Sequence, residues 1–229
     1  MDFIKISYTG RIKDGGVFDT TDRSVAEKEG IFDKNRVYQP LSVVVGSGQL
    51  VKGLDESLKG MNVGVGKKVE VKPEDGYGSR SPEMVRLIPM KFFKQQKINP
   101  IPGMPVEIDG MPGRVQTVAG GRVRVDFNSE LAGKTLVFDV KVEAKASSES
   151  DKVSFLLERS FGSASEVKTS LSAKKLMVKL PEEVQRDRNL LARKASFTAD
   201  CFKHLGLSEV TFEESWKNPE SSEKPVKKK

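Results

Sequence analysis

Apolar and polar residues alternate over Phe3, Ile4 and Ile6 to Tyr8, which predicts a β-strand closed by the turn signal Asp14-Gly15-Gly16. Further strands are predicted at Leu41-Ser42-Val43-Val44-Val45, ended by Gly46-Ser47-Gly48, at Lys67-Lys68-Val69-Glu70-Val71 and at Leu136-Phe138-Val140-Val142. Leu50, Val51, Leu54, Leu58 and Met61 recur at helical spacing and predict one short amphipathic helix ending near Gly60. The charged stretch between Thr20 and Tyr38 reads as a loop with a helical turn in Asp22–Lys28. Four strands flanking one helix place this part of the chain in the α+β class.

The pattern changes near Pro89. Met90, Phe92, Phe93, Ile98, Ile101 and Met104 are dense, and prolines stand at 100, 102 and 105. Met104-Val106-Ile108 and Val123-Val125-Phe127 then alternate with polar residues, between Gly-rich turns predicted at 110–113 and 120–121. A small β unit thus interrupts the first sheet. After the linker Ala146–Ser150, Leu176–Leu180 predicts a strand and Arg186–Leu205 a helix with Leu190, Ala195, Phe197, Cys201, Phe202 and Leu205 on or near one face. Val210, Phe212 and Trp216 continue as a period-two strand, so the third region reads as a small α+β domain. The expected division is a discontinuous first domain of residues 1–86 and 128–148, an inserted domain of 87–127, a C-terminal domain of 151–216 and a lysine-rich tail of 217–229.

A chain of 229 residues suits two or three domains. Its longest apolar run, Leu41–Val45, is far below the roughly 18 residues that a membrane span needs, and Met1-Asp2-Phe3 lacks a basic leader, so neither a membrane partner nor a secretory signal is expected. Cys201 is the only cysteine, which excludes an internal disulfide and suits a reducing compartment, the cytoplasm. Of the net charge of +7, the five lysines and two glutamates from Lys217 onward carry +3, leaving +4 on the body. That tail reads as a disordered solubilising end, or as a weak, salt-dependent contact with nucleic acid.

Candidate chemistry gathers in four separated segments: Tyr8-Thr9-Gly10, Gly16-Val17-Phe18-Asp19, Asp75-Gly76-Tyr77-Gly78 and Gly133–Val142. Together they offer aromatic and apolar side chains with one isolated carboxylate, but no nucleophile and no metal-ligand cluster. Such a set points to a dry pocket rather than to a reactive group. These motifs, with Gly48-Gln49-Leu50-Val51-Lys52-Gly53-Leu54 and Leu136-Val137-Phe138-Asp139-Val140, resemble in order and spacing the FKBP family of peptidyl-prolyl cis–trans isomerases, over residues 1–142. The Met/Phe-rich insertion, with Phe127-Asn128 and Leu131-Ala132-Gly133-Lys134 at its return, resembles the insert-in-flap domain of SlyD-like members, and the layout is similar to the long archaeal type with a C-terminal extension.

The resemblance implies a twisted antiparallel sheet wrapped on one short helix, with an inserted small β domain and a C-terminal α+β domain. It implies a slot for a proline ring lined by Tyr8, Phe18, Leu50, Val51, Leu54 and Phe138, with Tyr77 donating its hydroxyl to a substrate carbonyl and Asp19 held by the Tyr8 hydroxyl. Without that register, the apolar members read as ordinary core and Asp19 as a turn or cap residue. Unfolded or proline-containing polypeptides are the expected partners, captured on Met90, Phe92, Phe93, Met104 and Met111, whose alternative role is the insert's own core. The family's pocket-floor tryptophan is replaced by Leu54, and the only tryptophan is Trp216. No histidine-rich tail is present, and His204 reads as a surface or cap residue, so no metal or cofactor is expected.

Rival readings remain beside this one. A holdase chaperone with a vestigial slot would bind chains without turnover. Gly103–Ile108 through Gly120–Val125 also looks like a small SH3-like barrel that could meet RNA or the ribosome through Arg114, Arg122 and Arg124. Gly46-Ser47-Gly48 imitates a dinucleotide loop, but the third glycine of that fingerprint falls on Val51. Phe197, Phe202, Phe212 and Trp216 exceed the needs of one small core and suggest a homodimer through the C-terminal domain.

Overall fold

The computed structural model describes residues 1–162 and 167–216, so the tail at 217–229 lies outside the described residues. The chain folds as an α+β structure of three sheets, antiparallel except for one parallel pair. Strand β1 (Phe3–Ile12) alternates faces: Ile4 and Ile6 are buried in one core, while Lys5 and Ser7 bond to Glu158 and Glu143 on the opposite side. A turn through Asp14 leads to β2 (Val17–Thr20), then to α1 (Arg23–Lys28), whose first N–H groups donate to the Asp22 carboxylate. β3 (Leu41–Val44), α2 (Lys52–Ser57) and β4 (Gly66–Val71) follow. The insertion comprises β5 (Val85–Pro89), α3 (Met90–Gln95), β6 (Pro105–Ile108), β7 (Met111–Ala119) and β8 (Arg122–Asp126). The chain then returns in β9 (Leu136–Lys145).

The main sheet runs β2–β1–β9–β4, and β3 pairs with β1 as well. β3 takes Phe3–Ile6 and β2 takes Thr9–Arg11, so both occupy the edge of β1 opposite β9, and residues 21–40 bulge out between them. Leu54 and Leu58 of α2 pack on Ile4, Ile6, Val69, Val71, Leu136 and Val140. Each such leucine contributes about 1.5–3 kcal/mol by leaving water.

The inserted sheet has the order β5–β8–β7–β6, and α3 plugs it with Phe93 against Ile108, Val115, Val123, Val125 and Phe127. Its ends meet in a narrow neck. Val85 pairs with Asp126, the Ser81 N–H donates to Asn128 Oδ1 at 2.8 Å, and Asn128 Nδ2 donates back to the Ser81 carbonyl at 3.0 Å. The predicted turn at 110–113 is corrected: only Gly110 of it turns, together with Asp109, and β7 begins at Met111. Gly113 serves close approach instead, since a Cβ there would lie 2.8 Å from Phe127 Cδ1.

The C-terminal region comprises α4 (Glu149–Phe161), β10 (Lys168–Ser172), β11 (Lys175–Lys179), α5 (Glu182–Gln185), α6 (Leu190–Asp200) and β12 (Glu209–Glu213). β11 and β12 are parallel, joined by the crossover through α5 and α6. The helix expected over 186–205 begins only at Leu190 and passes into a π-helical turn at Cys201–Leu205. Phe197 and Cys201 are fully buried, but Ala195 and Phe202 face outward, so the expected single apolar face is not kept. Trp216 lies beyond β12 and is 67% exposed, not part of the strand.

Helix α4 has no counterpart among the predicted elements. It starts in a capping box between Ser148 and Asp151 and buries Val153, Phe155, Leu156 and Leu157. These residues share one core with Phe3 and Val44 of the main sheet and with Leu176, Val178, Leu180 and Phe197 of the C-terminal layer. A helix covered on two sides loses the 3.6-residue stripe by which a sequence announces it.

His204, expected at the surface, is instead enclosed. Its side chain is 2% exposed, and its ring meets Phe3 edge-on at 6.4 Å. Burial holds its pKa below 6.5, Asp200 opposes that, and Lys203 and Arg159 reinforce it. A histidine depressed in this way keeps its full contribution above the unfolded value of about 6.5 and loses it as pH falls below that value. His204→Phe should therefore flatten the fall in melting temperature between pH 7.5 and 5.5 measured by calorimetry. An unchanged slope would rule the seam histidine out as its source.

Candidate active site

The site is assembled by strand register. Gly10 on β1 pairs with Asp19 on β2 and with Phe138 on β9, so three neighbouring strands bring these positions into one row. Because Gly10 has no side chain, the Phe18 and Phe138 rings close over it, 5.8 Å apart in an edge-to-face arrangement. The Tyr8 ring lies 6.3 Å from Phe138 on the other flank. Leu54 and Phe138 belong to the buried core, and Tyr8, Phe18, Leu50 and Val51 are partly exposed residues packed against it. All six expected slot-lining residues thus belong to one apolar cluster, two of them buried within it.

The single carboxylate is held at both oxygens. The Tyr8 hydroxyl donates to Asp19 Oδ2 at 2.5 Å, and the Arg36 guanidinium donates to Oδ1 at 2.5 Å. Burial, and then the Asp19 charge, push the Tyr8 phenol well above its usual range, so it stays a donor. Asp19 is therefore a fixed electrostatic wall, each of its oxygens held by a donor from a different segment. Arg36 was not anticipated. It sits in the bulge read as a polar loop, where its guanidinium also lies over Tyr38 at 5.4 Å, and Phe32 stacks on Tyr38 at 5.5 Å. A cation flanked by two aromatics at that spacing was the only signal in the sequence.

Tyr77 stands outside the apolar cluster and is 46% exposed. Its turn is tied to α2, because Lys52 pairs with Asp75 at 2.8 Å and a Cβ on Gly53 would meet Val71 at 2.9 Å and Asp75 at 3.3 Å. It is tied to β9 as well, through the Gly133 N–H donating to the Gly78 carbonyl at 2.7 Å. In the insert, Phe93 is 1% exposed and belongs to the core, which corrects its expected place on a capture surface. Met90, Phe92, Met104 and Met111 are partly exposed over that core, and Leu87 and Ile101 are more than half exposed to solvent. Arg114, a candidate for RNA, is committed to Glu130 and to the Gly103 carbonyl. Among the described residues no cluster of His, Cys, Asp or Glu could hold a metal ion, and no helix is long and apolar enough to cross a membrane.

Comparison with known proteins agrees with this geometry. A "Short-type peptidyl-prolyl cis-trans isomerase" of Methanocaldococcus jannaschii is 37% identical over 150 residues, covering 66% of this chain and 95% of that relative. The chain belongs to the FKBP-type peptidyl-prolyl cis–trans isomerases. The SlyD isomerase of Haemophilus influenzae is 33% identical over 154 residues, 62% of this chain and 68% of that protein. A probable FKBP-type 16 kDa isomerase of Pseudomonas fluorescens is 29% identical over 144 residues, 61% of this chain and 85% of its own. Two family models also match: the FKBP26 IF domain over residues 86–131 and the FKBP26 C-terminal domain over 149–217.

The close approach at Gly10 yields a sharp test of this FKBP pocket. An alanine Cβ there would sit 2.8 Å from Phe18 Cζ and 2.9 Å from Phe138 Cε1, forcing both rings apart. Gly10→Ala should destabilise the protein by about 1–3 kcal/mol and lower isomerase activity at least about tenfold, in denaturant melts and a peptide assay. Wild-type activity in a folded Gly10→Ala protein would mean that the two rings do not form the slot.

Proposed function

We propose that the protein is a peptidyl-prolyl cis–trans isomerase that also chaperones folding chains, rotating X–Pro bonds in unfolded or partly folded polypeptides without covalent catalysis. The observation that carries this reading is the cluster of aromatic rings around Gly10, formed by Tyr8, Phe18 and Phe138 and bordered by the Asp19 carboxylate that Tyr8 and Arg36 hold. An X–Pro bond rotates over a barrier of roughly 18–20 kcal/mol because resonance stiffens its C–N bond. That resonance, and much of the amide dipole, is lost in the twisted transition state. A water-poor slot therefore disfavours the planar ground state more than the twisted one, and each ~1.36 kcal/mol of that difference is a factor of ten in rate.

The proline ring would rest against Phe138, Phe18 and Leu54, with Leu50 and Val51 at the mouth. Tyr77, exposed on its anchored turn, would donate its hydroxyl to a substrate carbonyl and hold the twisted conformer. The partly exposed Met90, Phe92, Met104 and Met111, extended by Leu87 and Ile101, would capture unfolded chain and raise its concentration near the slot. We place the protein in the cytoplasm on its single buried cysteine, and assign Phe202 and Trp216 to a homodimer contact. Ribosome or nucleic-acid contact would fall to Arg122, Arg124 and the lysine tail. The alternative, a holdase without turnover, is favoured only by Leu54 standing at the pocket floor.

Proline-limited refolding with catalytic amounts of protein tests the reading. Phe138→Ala should lower the rate about tenfold or more and Tyr77→Phe severalfold. Undiminished turnover in both would remove the assignment, and suppression of aggregation only at stoichiometric ratio would favour the holdase. Excising residues 89–127 should slow protein refolding far more than isomerisation of a tetrapeptide; equal effects on both would remove the insert's capture role.

A further inference from the structure

The bulge of residues 21–40 is a small body held together by its own contacts. Its base is closed by the Ile31 N–H donating to the Ala26 carbonyl at 3.0 Å, and its tip by the Asp33 N–H donating to the Tyr38 hydroxyl at 2.9 Å. The Phe32–Tyr38 stack fills it, with Arg23 over one ring at 5.1 Å and Arg36 over the other at 5.4 Å. Through Arg36 this body reaches the carboxylate of the slot. The base of this body is packed, with Ala26 buried, but beneath its outer part lies a cavity of about 230 Å³, lined by Tyr8, Thr21, Arg36, Gln39, Ser42 and Glu158, among others.

The contact that crosses that cavity's rim belongs to the C-terminal region. Gln39 Nε2 donates to the carbonyl of Gly162, the residue that caps α4, at 3.2 Å. Helix α4 is itself clamped to the strands beside the bulge, since Glu158 takes Lys5 at 2.6 Å and the Ser42 hydroxyl at 3.2 Å. We infer that the C-terminal region, through Gly162, Gln39 and the stacked bulge, sets the position of Arg36 and with it the electrostatic wall of the isomerase slot. Gln39 is thus a positioning residue. This rests on the isomerase reading above, and it gives α4 a part in catalysis that contact with substrate would not require.

The discriminating substitution is Gln39→Glu, which keeps size and shape but replaces the donor by an oxygen facing the Gly162 carbonyl. Gln39→Lys keeps a donor of similar reach. In the full chain, with a proline tetrapeptide as probe, Gln39→Glu should lower kcat/KM about threefold at unchanged melting temperature, whereas Gln39→Lys should stay near wild type. In an Arg36→Ala background the Gln39→Glu change should add nothing, because the group it positions is gone. A fully active Gln39→Glu, an equal loss in Gln39→Lys, or losses that multiply in the double variant would each overturn the coupling while leaving the isomerase reading intact. An inactive wild type would instead remove the isomerase reading, and the coupling with it.

Discussion

Everything at the slot depends on an omission: position 10 carries no side chain. The β2–β1–β9 ladder sets Asp19, Gly10 and Phe138 side by side, and a side chain in the middle would hold the flanking aromatics apart. With hydrogen there, Phe18 and Phe138 meet above the sheet and make an apolar surface no single strand could present. Register and composition are inseparable here. A slip of one residue would turn Tyr8 and Phe138 to the opposite face, where Lys5 and Arg11 meet Glu158 and Asp139.

The carboxylate shows the same economy. Placed beside aromatic rings, an unpaired Asp19 would demand water. Two donors from different segments satisfy it instead, one from the strand and one from the bulge. The carboxylate is thereby fixed in place while its side chain stays 30% exposed.

Much of the main sheet was legible because its strands bury one face each. β1, β4 and β9 alternate, and α2 shows its Leu54–Leu58 stripe against that face. Slot residues far apart in sequence were legible only through their family resemblance, since no local pattern says that Phe18 and Phe138 meet. What stayed hidden has physical reasons. α4 is covered on two sides, so its apolar residues run together at Phe155-Leu156-Leu157. Arg36 acts from a loop whose composition reads as solvent-facing. His204 ends a helix whose last turn widens to π geometry, which carries its ring inward to Phe3.

The shared core of α4, Phe3 and Val44 bears on how the molecule is born. β1 precedes its partners by most of this sequence: Arg11 must find Asp139, 128 positions later, and Lys5 must find Glu158, 153 positions later. The insert, by contrast, closes within its own stretch of chain and can mature while the rest is still emerging. One face of β1 can meet α2 soon after it is made, whereas Phe3 on the other waits about 150 residues for α4, so the strand stays half-covered over most of that interval.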